Sequence, residues 1–293
     1  MNQLVNFFKN IKIPGLEGLS LYDLIEVYFT GIVKGALTSR AGGISYSLFM
    51  AVFPFLLFML TLIPYIPVDG FQESFMLLIS EALPPKTYEA VVPILKDIAN
   101  NKYGGLLSFG FLVSIFLMTN GVNAIFGGFE ISYHVTEVRT VIKAYAVSLG
   151  TSLLMSFLLI VTVVGTILFQ FGLDLLIDNN WLSTEFLWLE NVRYLFLVFM
   201  IFTTVSLLYF FGTKEGKYSS FFSVGAILTT ILYVISFYLF GVYVVKFAKY
   251  NELYGSIGTL LIVMLFIWLN AIILLLGFEL NATMNKLRLT SRE

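Results

Sequence analysis

Six stretches of the chain run without a single charged side chain: 41–68, 103–129, 144–173, 194–213, 218–245 and 253–278. Each reaches the roughly 20 apolar residues that carry an α-helix across the hydrocarbon core of a bilayer. Lipid offers a backbone no hydrogen-bond partner, so runs of this length must satisfy their own amides and carbonyls as helices. The pattern predicts an all-α, polytopic membrane protein with six transmembrane helices plus peripheral amphipathic helices. The spans are expected at about 42–66, 105–127, 144–169, 194–212, 219–245 and 256–279. Most of the chain then lies in the membrane, as a single membrane domain over residues 1–293.

Between and before the runs the periodicity changes. In the N-terminal region 1–40, an apolar stripe at Leu21, Leu24, Ile25, Tyr28, Phe29, Ile32, Val33, Ala36 and Leu37 follows helical spacing. Asp23, Glu26, Thr30 and Lys34 fall on the other face, and Ser20 is placed to cap the helix. The stripe predicts a helix lying in the membrane interface or packed on the bundle. The connection 69–102 carries Tyr88, Val91, Val92, Leu95, Ile98 and Ala99 at the same spacing, beyond the break at Pro84-Pro85. It predicts two short helices folded over the outer face. Trp181 and Trp188 in the connection 174–193 suit an interfacial aromatic belt. Within the spans, Pro54 and Pro64 predict kinks, and Ser148, Ser152 and Ser156 predict a small-residue packing face. Residues 280–293 form a tail.

Six spans put both termini on one side. Of the 17 basic residues, Lys86, Lys96, Lys102, Arg193, Lys246 and Lys249 fall on the opposite side, and the rest fall with the termini. The positive-inside rule then places the termini in the cytoplasm. The segment Met1–Gly15 holds Lys9 and Lys12 but no apolar core or small-residue cleavage site, so the first span is expected to act as its own insertion signal.

Composition narrows the chemistry. With 58% hydrophobic and 12% charged residues, no soluble or disordered class fits. A net charge of −1 argues against nucleic acid as a partner and leaves membrane lipids, with protein partners and oligomeric state open. The chain has no cysteine, which removes disulfides, thiol catalysis and cysteine-bound metals. Its one histidine, His134, reads as an ordinary loop residue, and no H-E-x-x-H, phosphate-loop or G-x-S-x-G pattern occurs. No cofactor, metal or enzymatic activity is expected.

A few polar residues share one depth, at the end of the spans that faces the termini. Arg40 precedes the first span and Tyr46 enters it. Asn120 and Asn123 lie one helical turn apart near the end of the second, followed by Glu130, and Tyr145 opens the third. Glu279 and Asn281 close the sixth. Ionisable groups at this depth pair with one another or line water-filled cavities. Arg40, Tyr46, Asn120, Asn123 and Glu279 are therefore the candidate substrate-binding residues, and an Arg40–Glu279 pair would tie the first span to the last. The bland alternative has Arg40 snorkelling to the interface and Glu279 solvated.

Three stretches resemble the YihY/BrkB family of bacterial inner-membrane proteins. The first is Thr38-Ser39-Arg40-Ala41-Gly42-Gly43-Ile44-Ser45-Tyr46, leading to Phe53-Pro54-Phe55. The second runs from Asn120-Gly121-Val122-Asn123-Ala124 to Tyr133-His134-Val135. The third is Tyr254-Gly255-Ser256-Ile257-Gly258-Thr259, continuing to Gly277-Phe278-Glu279-Leu280-Asn281-Ala282. The chain departs from the family pattern at Gly42 and Gly43, where alanines are frequent. The resemblance implies six membrane helices, links to envelope integrity, and lipid translocation as a recurring proposal. The older label for such proteins, ribonuclease BN, conflicts with a single histidine, since a two-metal phosphodiesterase needs a carboxylate–histidine cluster. The expected function is a transporter or flippase for an envelope lipid or other amphipathic substrate. A non-catalytic membrane scaffold for envelope assembly is the alternative, and the absence of a visible inverted repeat between the two halves counts for it.

Overall fold

The computed structural model describes residues 20–65, 76, 92–93, 96–97, 101–178, 190–218, 220–247 and 256–290. Its long elements are α1 (Leu21–Lys34), α2 (Leu37–Leu62), α3 (Gly104–Glu130), α4 (Val141–Asp178), α5 (Glu190–Gly212), α6 (Val224–Phe247) and α7 (Ser256–Thr290). The chain is an all-α membrane protein. Among the described residues, α3 and α5 and large parts of α4, α6 and α7 are long and apolar enough to cross a bilayer. The first expected span falls on α2, a helix of 26 residues with Arg40 in its first turn. The helix stops at Leu62, and Pro64 sits in a short 3-10 turn, Ile63–Tyr65, rather than in a kinked helix as expected. Only Pro54 lies inside α2. The paired-helix reading of 69–102, including Pro84, Pro85 and Tyr88, lies almost wholly outside the described residues, as do Trp181, Trp188 and the segment Met1–Gly15.

The boundaries shift in two further places. The fifth span begins at Val224 rather than near 219, because Ser223 takes the N-cap position and its hydroxyl accepts from the Ala226 amide at 3.2 Å. The last helix does not end at 279 but continues to Thr290, carrying Asn281, Lys286 and Leu287 with it.

The chain divides into two compact units. One comprises Ser47–Gly121, with the second half of α2 and the first half of α3. These run antiparallel. An added Cβ at Gly121 would stand 3.0 Å from Leu48, one at Gly110 would meet the Phe58 backbone at 3.6 Å, and Phe58 and Phe111 lie 5.4 Å apart. Small residues let the two backbones approach.

The other unit holds Met1–Tyr46 and Val122–Glu293. In it α4 packs on α5, α5 on α6, α6 on α7, and α7 on α1. Large side chains such as Phe157, Leu195 and Tyr238 point outward from these helices, as lipid requires and water would penalise. The tightest crossing joins α6 and α7 at Gly225 and Gly277. A Cβ on Gly277 would overlap Thr229 Oγ1, and one on Gly225 would overlap the Gly277 carbonyl. Tyr209 of α5 seals the crossing, donating to the Leu274 carbonyl at 2.7 Å and sharing a 2.6 Å hydrogen bond with Thr229. Phe129, at the end of α3, stacks on Phe278 at 4.1 Å with its ring edge toward Tyr209. Ser148 and Ser152 are buried, in keeping with a packing face, and the Ser148 hydroxyl reaches Asn123 at 3.3 Å.

Gly277→Ala drives a methyl group into this crossing and is expected to destabilise the protein by about 1–3 kcal/mol. Gly241, where a Cβ meets nothing within 4 Å, should accept alanine without loss. Thermal unfolding of both variants in detergent micelles checks the contrast, and equal melting would remove the crossing from its central place.

Candidate functional site

The polar centre of the larger unit forms where α1 turns into α2. Helix α1 begins at a capping box, in which the Ser20 hydroxyl accepts from the Asp23 amide and the Ser20 amide donates back to Asp23 at 2.8 Å. It ends at Gly35, whose amide donates to the Gly31 carbonyl at 2.8 Å. Ala36 then takes φ 46°, a left-handed conformation costing a residue with a Cβ about 1 kcal/mol, and the chain re-enters a helix at Leu37. This sharp turn drops Arg40 under α1.

There Arg40 meets Glu279. Nη1 donates to Oε1 at 2.7 Å, with the side chains 3% and 0% exposed, and also to the Gly35 carbonyl at 3.0 Å. The second carboxylate oxygen accepts from the Ser132 hydroxyl at 2.8 Å. Ser132 Oγ in turn receives the His134 amide at 3.3 Å, and His134 Nε2 lies 3.2 Å from the Val27 carbonyl on α1. Tyr28 adds a strap from α1 to α7, donating to the Leu276 carbonyl at 3.1 Å. Burial, with Glu279 adding to it, pushes the Tyr28 hydroxyl up to about 12, so it remains a donor. Burial also pulls the His134 imidazole below its ordinary value, partly opposed by Glu279. Arg40 Nε and Nη2 and His134 Nδ1 are buried without a hydrogen-bond partner, a cost that the ion pair must offset.

The five residues expected to bind substrate are thus distributed. Arg40 and Glu279 come together as expected, buried rather than solvated. Asn123 is half-buried and turned to Ser148 on α4. Tyr46 is 59% exposed. Asn120 is half-buried in the Ser47–Gly121 unit. Asn281 is structural: its Oδ1 accepts from the Gly225 amide and its Nδ2 donates to Ser223 Oγ, each at 2.8 Å, which fixes the start of α6. Gly42 and Gly43 have open space where a Cβ would stand, so alanine fits at both.

Sequence reading missed Gly31, Gly35, Ser132 and the burial of His134. The apolar stripe left α1 either in the membrane interface or packed on the bundle; Phe29 and Val33 are 59% and 77% exposed while Gly31 is buried. A Cβ at Gly31 would stand 2.5 Å from His134 Nε2 and 3.1 Å from Glu279, and one at Gly35 would stand 2.7 Å from Arg40 Nη1. Helix α1 therefore buries its glycine face over charged groups. The spacing of Gly31 and Gly35, four apart, was the available signal.

A second polar feature lies at the loops 131–140 and 213–216. Arg139 donates to the carbonyl of Gly212, the last residue of α5, at 2.7 Å and stands 3.6 Å from Glu130. Burial lowers its pKa and Glu130 opposes the shift, but a guanidinium stays charged. Glu215 Oε1 gathers the Thr136 hydroxyl at 2.7 Å and the amides of Thr136 and Glu137. Beside them runs a half-open groove of about 510 Å³ lined by Val147, Phe210, Phe211 and Thr213 together with Glu137, Arg139, Lys214 and Glu215. Two cationic and two anionic side chains thus border an aromatic wall. Among the described residues no three His, Asp or Glu side chains gather where they could hold a metal ion.

Removing either partner of the buried pair leaves an uncompensated charge. Arg40→Ala and Glu279→Ala are each expected to cost about 3–5 kcal/mol, with the double variant losing less than the sum. A double-mutant cycle on unfolding in detergent measures the coupling, and strict additivity would show that the pair carries no interaction energy.

Residues 28–293 match the family described as Virulence factor BrkB. A ribonuclease-like protein of Bacillus subtilis, YfkH, is 31% identical over 85% of this chain and 90% of its own length. UPF0761 membrane proteins of Aggregatibacter aphrophilus and Vibrio campbellii are 25% and 23% identical, covering 89% and 98% of this chain and 92% and 89% of theirs. No solved structure matches. With nearly the whole sequence matched, this chain belongs to the Virulence factor BrkB family.

Proposed function

We propose that this integral membrane protein binds an amphipathic envelope lipid and moves it across the bacterial cytoplasmic membrane, without enzymatic chemistry. The groove between the 131–140 and 213–216 loops carries the reading. Phe210, Phe211 and Val147 offer an apolar wall, and Arg139 and Lys214, paired with Glu130 and Glu137, offer charges beside it. A ligand with a charged head and an apolar body fits that division. Arg40 and Glu279 serve this reading as a fixed latch beneath α1, and membrane lipids are the partners. The ribonuclease-like name of the Bacillus subtilis relative is not carried over, because a single histidine gives poor support for metal-dependent phosphodiester cleavage. One observation favours the scaffold reading instead: neither Arg40 nor Glu279 lines this groove or the small cavity around Asn281.

Both termini are assigned to the cytoplasm on the distribution of Lys and Arg. The chain lacks cysteine, so single cysteines report sidedness directly. Cysteines replacing Lys86 and Glu185 should react with an impermeant thiol reagent in intact cells, whereas those replacing Lys214 and Arg288 should react only after permeabilisation. The opposite pattern would invert the assignment.

Lipid movement is tested in liposomes containing the purified protein and a headgroup-labelled phospholipid, read by exposure of the label to an impermeant reductant. The protein should accelerate movement over protein-free liposomes, and Lys214→Glu, which reverses a charge at the rim, should slow it several-fold. Movement no faster than in protein-free liposomes would support the scaffold. An unchanged rate for Lys214→Glu would remove the groove from the path.

A further inference from the structure

A second polar surface on the same unit is independent of the groove. Tyr133, half-exposed in the loop after α3, is approached by Lys34 from the end of α1 and by Lys286 from the last turns of α7. Each ammonium nitrogen lies 5.0 Å from the centre of the ring. Two positive charges from opposite ends of the sequence therefore stand within twice that distance of each other. Like charges so close repel.

The surroundings identify the ligand chemistry that suits the arrangement. Val33, next to Lys34, is 77% exposed, and Ile131, two residues before Tyr133, is 66% exposed. An aromatic ring bearing two ammonium groups and bordered by exposed aliphatic side chains suits neither plain water nor a bare hydrocarbon surface. Tyrosine and lysine together are residues of the membrane interface, where the ring sits at headgroup depth and the ammonium reaches phosphate. Basic side chains gathered from separate membrane helices bind phosphate-bearing head groups, and each adds attraction toward an anionic leaflet.

We propose that Lys34, Tyr133 and Lys286 form a seat for the phosphate of an anionic phospholipid, with the exposed Val33 and Ile131 against its glycerol and upper acyl carbons. The seat holds whether or not the groove transports a lipid. It also bears on the fold. Lys34 and Lys286 belong to α1 and α7, which Tyr28 straps together at the Leu276 carbonyl, so a bound headgroup would bridge the same two helices.

The test uses the full-length protein in mild detergent, with retained lipids counted by native mass spectrometry after exposure to phosphatidylglycerol or phosphatidylcholine. The unaltered protein should retain phosphatidylglycerol preferentially. Lys34→Gln with Lys286→Gln should weaken that retention roughly tenfold or more, whereas Lys34→Arg with Lys286→Arg should keep it. A control pair, Lys96→Gln with Lys143→Gln, removes the same net charge elsewhere and should leave retention unchanged. Equal thermal melting of the variants establishes that all are folded. Three results would overturn the seat: unchanged retention in the Lys34/Lys286 glutamine pair, an equal loss in the control pair, or full displacement of the lipid by inorganic phosphate alone. The last would mark a soluble anion as the occupant.

Discussion

A charged pair sealed from solvent governs the end of the larger unit. Arg40 and Glu279 are separated by most of the chain, yet their side chains lie 2.7 Å apart with almost no exposure. Neither charge survives alone in such a place, because desolvation of each is recovered only through the other and its hydrogen bonds. The rest of this region is arranged to permit the contact. Residues 31 and 35 must be glycine because a Cβ at either would enter the space of the pair or of His134. Ala36 is held in an unfavourable conformation so that α2 can begin directly under α1. The loop after α3 is drawn in to supply Ser132 to the carboxylate.

The neighbouring helices are held by a different device. In a bilayer, apolar side chains gain little by leaving lipid for protein, so helices associate through close backbone approach and hydrogen bonds. Gly225 and Gly277 supply the approach between α6 and α7, and Tyr209 supplies the bonds, its hydroxyl reaching both Thr229 and the Leu274 carbonyl. Asn281 ties the first turn of α6 to the same face of α7, one turn beyond Gly277. The stacked rings of Phe129 and Phe278 join the end of α3 to this core. One helix, α7, therefore carries the ion pair, the tight crossing and the aromatic stack.

The proposed function rests on what this frame leaves accessible. The pair and its straps are closed, while the charged and aromatic groove beside the 213–216 loop and the Tyr133 surface are exposed. Family membership agrees with an integral membrane protein of several apolar helices, and both proposals draw on amphipathic ligands.

The sequence by itself determined the class of the protein. Charge-free runs permit only self-satisfied helices in lipid, so the all-helical membrane fold was legible in the residues alone, together with the capping role of Ser20 and the attraction between Arg40 and Glu279. The start of α6 was less legible, since Val224 owes its place to the Ser223 cap and to Asn281, far along the chain. The apolar stripe of α1 left its facing open between the membrane interface and the bundle. In a membrane protein both lipid and protein accept apolar side chains, so hydrophobic periodicity does not say which face turns inward. Gly31 turns inward because only a residue without a side chain leaves room for His134 and Glu279, and both arrive from elsewhere in the chain. The same holds for Lys34, Tyr133 and Lys286, which share no sequence pattern and meet only because α1 packs on α7. Local composition fixes which segments enter the bilayer. Contacts between residues far apart in the chain decide which of their faces meet.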